Sequence, residues 1–286
     1  MTETEIANLA LSFLGSRLQT ADVATETTKE AVTCRKWLAA ARDECLISHP
    51  WNFAMVRKRL AVAFQAIETI EDSAPPPPPE EGLLHVPGAI LVEVTDHGLV
   101  TGDRVCIRDA GRADGRYFIT RVDDDYFTLD GTVHSGTYAA GGRAARVPPF
   151  GWAWRFDLPA DCLAVRTVNG GEGNEEDSVP YEIEGRVLLM DAEILELKYT
   201  AQITDTALWS QNFTNAFALL LASCIAQDLT GPAGRAMELR QQYERVVAPL
   251  AKSKDSKQGK GRVRDPDYNS RVLAARRGAG FLGGAD

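Results

Sequence analysis

A chain of 286 residues with 44% apolar and 25% charged residues has the composition of a globular protein, large enough for one large domain or two smaller ones. Five scattered cysteines (Cys34, Cys45, Cys106, Cys162, Cys224) lack any CxxC spacing, which argues against zinc and for buried thiols in a reducing compartment. The net charge of −9 opposes general binding of nucleic acid, and the longest mainly apolar stretch, Ala216 to Ala226, is about half of a membrane span.

The opening Met-Thr-Glu-Thr-Glu has neither the basic patch nor the apolar run of a secretory signal. Thr2 to Leu14 predicts a short amphipathic helix with Ile6, Leu9, Ala10 and Phe13 on its apolar face and Gly15 just past its end. Thr25 or Thr27 can cap the next helix, Glu26 to Ser48, around which the chain is organised. Cys34, Leu38, Ala41, Cys45 and Ser48 recur every three or four residues, and Trp37 widens that stripe. The helix must stop near His49, because Pro50 has no amide hydrogen and disfavours helical geometry before it. Trp51 and Phe53 then turn an aromatic load back on the helix end. Ala54 to Phe64 alternates basic and apolar residues, as an exposed or edge strand does.

Residues 67–82 contain Glu71-Asp72 and the run Pro75 to Pro79, a polyproline spacer whose other use would be binding SH3-like partners. Residues 83–148 change texture to five or six short β segments separated by turns, the pattern of a small barrel or sandwich. Beyond it, Trp154 to Val168, the hairpin Tyr181 to Met190 and Glu193 to Thr200 predict further strands. These fit one another better than the inserted module. Residues 1–66 and 149–252 are therefore expected to form one discontinuous domain. Asp205 or Thr206 can cap a helix from Ala207 to Leu229 whose wide apolar face includes Phe213 and Phe217. After Thr230-Gly231-Pro232 a last helix runs to Ala248 and stops before Pro249. Met237, Leu239, Tyr243, Val246 and Val247 are available for packing, while Arg240, Gln241, Glu244 and Arg245 stay wet. The fold class expected is α+β: an antiparallel helical bundle with a β-sheet/hairpin region, plus an inserted all-β small barrel.

Lys252 to Arg277 holds nine basic and three acidic residues, a net of +6 that leaves −15 for the remainder. A basic tail (253–286) on an acidic body can dock on an acidic surface of a neighbouring copy or partner, remain solvated, or touch nucleic acid. Catalytic chemistry is not expected. There is no GxSxG, HExxH or P-loop sequence, and the four histidines (His49, His85, His97, His134) have no second ligand at metal spacing. No cofactor or metal is expected, and His49 is assigned a structural role at its helix end.

The ordered set Ile6 to Gly15, Ala41-Arg42-Asp43 through His49-Pro50-Trp51-Asn52-Phe53-Ala54, Leu158 to Leu163, Tyr181 to Leu188, Leu197 to Thr200 and Ala222 to Ala226 resembles the head-to-tail adaptor family of short-tailed bacteriophages, also called tail tubular protein A. His97 to Val105 with Tyr126 to Leu129 is similar to small β-barrel modules of phage tail proteins. The resemblance implies a structural virion protein, assembled in the host cytoplasm as a ring of twelve copies beneath the portal. Its partners would be the portal ring, the tail nozzle protein, the tail fibres, other copies of itself and the DNA passing through, with no membrane. Portal docking then falls to Tyr268, Arg271, Arg276 and Arg277, with Lys260, Arg262 and Arg264 as electrostatic support. Two other readings stay open: a receptor or glycan binder using the loops at His97-Gly98 and Thr137 to Gly142, and a tail-borne cell-wall hydrolase.

Overall fold

Thr2 opens the first helix, α1 (Glu3–Phe13), with a reciprocal cap: its hydroxyl accepts from the Glu5 amide while the Glu5 carboxylate accepts from the Thr2 amide. The computed structural model describes residues 1–15, 19–72, 88–133, 138, 141–169, 179–231 and 233–258. They fall into two compact units, a helical one (Met1–Ala54 with the chain from Ile203 on) and a β one (Met55–Gln202).

In the helical unit, α2 (Lys29–Ile47) is capped by Thr28, later than the expected Thr25 or Thr27. Arg35 reaches back to the carbonyls of Val23 and Glu26, and the Glu26 carboxylate takes the Ala21 amide, so the residues before Thr28 are held as a turn. α3 (Gln211–Thr230) is capped by Ser210, because Asp205 is used instead on the short 3-10 turn Thr206–Leu208. Gly231, at φ +83°, ends α3 in a backbone conformation that side chains resist. α3 is the core of this unit, with Phe213, Phe217, Leu220 and Leu221 buried. By length and composition alone it could cross a membrane, but 67% of its most apolar window is buried inside the protein. α4 (Ala233–Gln242), a π-helical turn (Tyr243–Val247) and α5 (Ala248–Ser256) follow one another without a break.

The β unit contains thirteen strands in three sheets among the described residues. β1 (Met55–Ala61), β13 (Ile194–Ala201) and β10 (Cys162–Val168) form the first, in the order β1-β13-β10, with Met55 opposite Thr200 and Ala61 opposite Ile194. The second, β11-β12-β9, is built from β9 (Trp154–Asp157), β11 (Tyr181–Glu184) and β12 (Val187–Met190). The third takes β2 (Gln65–Ala66), β3 (Thr69–Asp72), β4 (Ile90–Glu93), β5 (Arg104–Arg108), β6 (Gly115–Arg121), β7 (Tyr126–Leu129) and β8 (Arg143–Val147) in the order β2-β8-β5-β6-β7-β4-β3. Its end strands β2 and β3 are separated only by Ile67 and Glu68, whose amides donate to the Gly142 and Glu93 carbonyls. One short segment thus supplies both ends of a sheet curled around Ile67, Val92, Val105, Ile107, Ile119, Phe127 and Leu129.

The sheets meet at a cluster of arginines and aromatic rings. Arg108 lies 4.8 Å from the Trp154 ring and 5.6 Å from Phe64, Arg116 lies 4.8 Å from Trp154, and Arg143 lies 4.7 Å from Phe64. Arg108 also donates twice to Glu193, at 2.7 and 3.0 Å, and that pairing holds the Glu193 carboxyl below its ordinary range. The planar guanidinium can stack and fork at once, which suits it to joining sheet edges.

This architecture corrects the expected fold class. The protein is mostly β-sheet and is not an antiparallel helical bundle carrying strands and an inserted barrel. The strands at 55–61 and 154–201 pair with one another and group with the seven-stranded sheet, so the units divide at 54/55 and 202/203 rather than near 66 and 149. Within the expected spacer 67–82, Ile67 is core and Thr69–Asp72 is β3, while Pro75 to Pro79 lie outside the described residues.

Gly142 offers a test of the seven-stranded sheet. Its φ is +119°, and a Cβ there would meet the Ala110 Cβ at 2.9 Å and the Arg108 carbonyl at 3.2 Å. Gly98, at φ +60°, has open space around it. Gly142→Ala should destabilise the protein by roughly 1–3 kcal/mol more than Gly98→Ala in urea unfolding, since only the first adds overpacking to backbone strain.

Candidate assembly site

The run His49-Pro50-Trp51-Asn52-Phe53 does two jobs in the helical unit. Pro50, itself exposed, ends α2, and Trp51 turns back under it, fully buried, its indole N–H donating to the Cys45 carbonyl at 2.9 Å. The Phe213 ring meets Trp51 at 5.1 Å, Phe53 at 4.9 Å and Trp209 at 5.0 Å, all near perpendicular, and Phe217 packs on Trp209 at 5.3 Å. Edge-to-face contacts of this kind add to area burial. Trp37 stands apart from this cluster, half-buried, with its indole donating to Asp228 of α3 beside Lys36.

The second job is to hold the end of the last helix. Asp255 is 2% exposed. Its carboxylate accepts from the Asn52 amide at 3.1 and 3.3 Å and lies 3.2 Å from His49 Nε2, and its carbonyl accepts from Asn52 Nδ2 at 2.6 Å. A buried carboxylate needs such partners, because desolvation without them costs far more than the bonds return.

Asp255 faces inward because of the π-helical turn. Pro249 has no amide hydrogen and its ring crowds the carbonyl four residues back, so the helix opens and the Ala248 amide donates to the Tyr243 carbonyl five residues earlier. The extra residue rotates everything beyond it by about 100°. Leu239 is buried before the turn, Tyr243 at its first residue, and Ala248, Ala251 and Asp255 after it. Sequence reasoning stops this helix at Ala248 and offers Met237 and Val246 for packing, yet these are 64% and 51% exposed. Arg240, expected to be wet, is half-buried and pairs with Glu44 and Glu244. Asp255 itself escaped notice as one acid among Lys252, Lys254 and Lys257. The signal available was that single carboxylate inside a basic run.

The basic tail, expected from residue 253 on, overlaps the last residues of this helix, which ends at Ser256. Its expected docking residues, Lys260, Arg262, Arg264, Tyr268, Arg271, Arg276 and Arg277, lie outside the described residues, as do His85, His134 and half of the Thr137 to Gly142 loop. The His97-Gly98 turn lines an open groove of about 450 Å³ in the β unit, together with Leu60, Phe156, Arg146, Arg155 and Asp157. The two guanidinium groups there are already engaged, Arg146 by Asp103 at 2.6 Å and Arg155 by Asp157 at 2.9 Å. Among the described residues no group of three or more His, Cys, Asp or Glu side chains could hold a metal ion.

Two outcomes follow from the buried groups. Asp255→Ala strands the Asn52 amide and should cost about 1–3 kcal/mol in urea unfolding, the usual penalty for a buried polar group left without its partner. Burial pushes the Cys45 thiol from its ordinary 9.0 to about 12 and the Cys34 thiol to about 11. The unfolded chain therefore releases these protons first, so the thiols' contribution to stability should be level below about pH 8 and decline between about pH 9 and 12. Urea midpoints across that range measure it, with Cys45→Ala flattening the decline.

Compared with models of known protein families and with curated proteins, the chain matches none.

Proposed function

We propose that this chain is a structural virion protein, a head-to-tail adaptor that assembles as a ring beneath the portal of a short-tailed bacteriophage. In that reading it joins the capsid to the tail nozzle and fibres and surrounds the passage of DNA. The observation that carries the proposal is the anchoring of Asp255 by His49 and Asn52, inside one of the motifs that carry the resemblance to the family. It makes the motif the fixed root of the basic tail, so that a segment of opposite charge to the body leaves from a defined point. Attachment through such a segment can order on binding, and like charge on the body keeps a passing polyanion from sticking.

An assembly role also suits the thiols. Cys34, Cys45, Cys162 and Cys224 are all pushed up by burial, the opposite of what a nucleophile needs. Truncation after Gln258 removes the part of the tail beyond α5 and spares the Asp255 anchor. The truncated protein should melt at the temperature of the full chain and fail to bind the portal ring in co-sedimentation. Binding at full-length strength would sink the proposal.

A further inference from the structure

Each three-stranded sheet has two outer strands with no further neighbour among the described residues, β1 and β10 in one and β11 and β9 in the other, and β1 and β11 complement each other. Their charges are opposite. β1 exposes Arg57, Lys58 and Arg59, whereas β11 is Tyr181-Glu182-Ile183-Glu184, exposed at every position. Their faces also match. Tyr181 and Ile183 register against Met190 and Leu188, which are buried, yet they are themselves 40% and 43% exposed. The apolar face of this sheet therefore runs on to its edge and stops there uncovered. On β1, Val56 and Leu60 register against the buried Tyr199 and Leu195, while Arg57 and Arg59 lie on the other face with Lys198 and Glu196.

We propose that β11 of one copy of this chain pairs antiparallel with β1 of a second copy, so that a three-stranded sheet of each becomes part of one six-stranded sheet. One register satisfies both requirements. Placing Glu182 opposite Arg59 and Glu184 opposite Arg57 also puts Tyr181 beside Leu60 and Ile183 beside Lys58, on the apolar face of both sheets, with the Lys58 stem lying over Ile183. Slipping the register by one residue sets acids against the apolar face and loses both matches. Exposed edges invite this kind of main-chain pairing, and the side chains then select the partner. Because the two edges differ, the contact is head-to-tail, which closes into a ring when the rotation between copies allows and otherwise propagates as a filament. The pairing rests on the adaptor reading only for that closure.

Charge reversal on the full chain tests it. Sedimentation of the wild type is compared with Glu182→Lys/Glu184→Lys and with Arg57→Glu/Arg59→Glu, each at low salt, with and without portal protein. Each variant alone should self-associate at least about tenfold more weakly (~1.4 kcal/mol). An equimolar mixture should recover wild-type association, because every β11 then meets a complementary β1. Glu182 also accepts from Trp152 Nε1 at 3.0 Å, so Glu184→Lys and Arg57→Glu are repeated singly to keep that bond. Variants that associate like the wild type, or a mixture no stronger than its components, overturn the pairing and leave the ring reading standing. A wild type that stays monomeric at every concentration and ignores the portal overturns both.

Discussion

A carboxylate taken out of water must be met by donors, and the helical unit is arranged so that Asp255 is met. Pro50 ends α2 and exposes the Asn52 amide, Trp51 fills the space beneath, and Pro249 forces the π-helical turn that points Asp255 at that amide. Each step is local chemistry, but the result is a long-range bond spanning about 200 residues of sequence. The geometry is unforgiving, because one residue of helix is a rotation of about 100°. An uninterrupted α-helix would turn Asp255 away from Asn52 and leave both unpaired.

The β unit is held differently. No strand there is long, and the largest sheet buries a compact set of Val, Ile, Leu and Phe side chains within its curl. Where the sheets meet, guanidinium groups bridge them: Arg108, Arg116 and Arg143 lie on Trp154 and Phe64 while Glu193 grips Arg108. Such contacts leave their outer faces to water and add about 0.5–1 kcal/mol each at exposed sites. They orient the sheets as much as they stabilise them.

What could be read from the chain was what depends on neighbours in sequence. Pro50 stops α2 by its own backbone chemistry, and Phe213 and Phe217 fall on one face of any helix that contains them. The helix caps were harder. Thr25 and Thr27 are sound candidates until Arg35 reaches across twelve residues to the Val23 carbonyl, and nothing local announces that bond. Pro249 reads as a stop, because a π-helical turn that absorbs a proline has no composition of its own. The division into units was least legible. Met55 pairs with Thr200 across some 145 residues, and alternation shows that a strand exists without showing its partner. Thr69 to Asp72 looked like the approach to a spacer, since Glu71-Asp72 carries no apolar signal, yet it pairs with β4 along its whole length.

The doubled role of the segment from Gln65 to Asp72 has a consequence for how this protein meets others. A sheet ordinarily has two outer strands, each a template on which a foreign chain can grow. Here the largest sheet draws both from one short stretch, so recruiting a stranger on either side means first peeling its own backbone away. The most extensive β surface in the molecule is thereby the one least able to polymerise, and any growth by strand addition is diverted to the two small sheets.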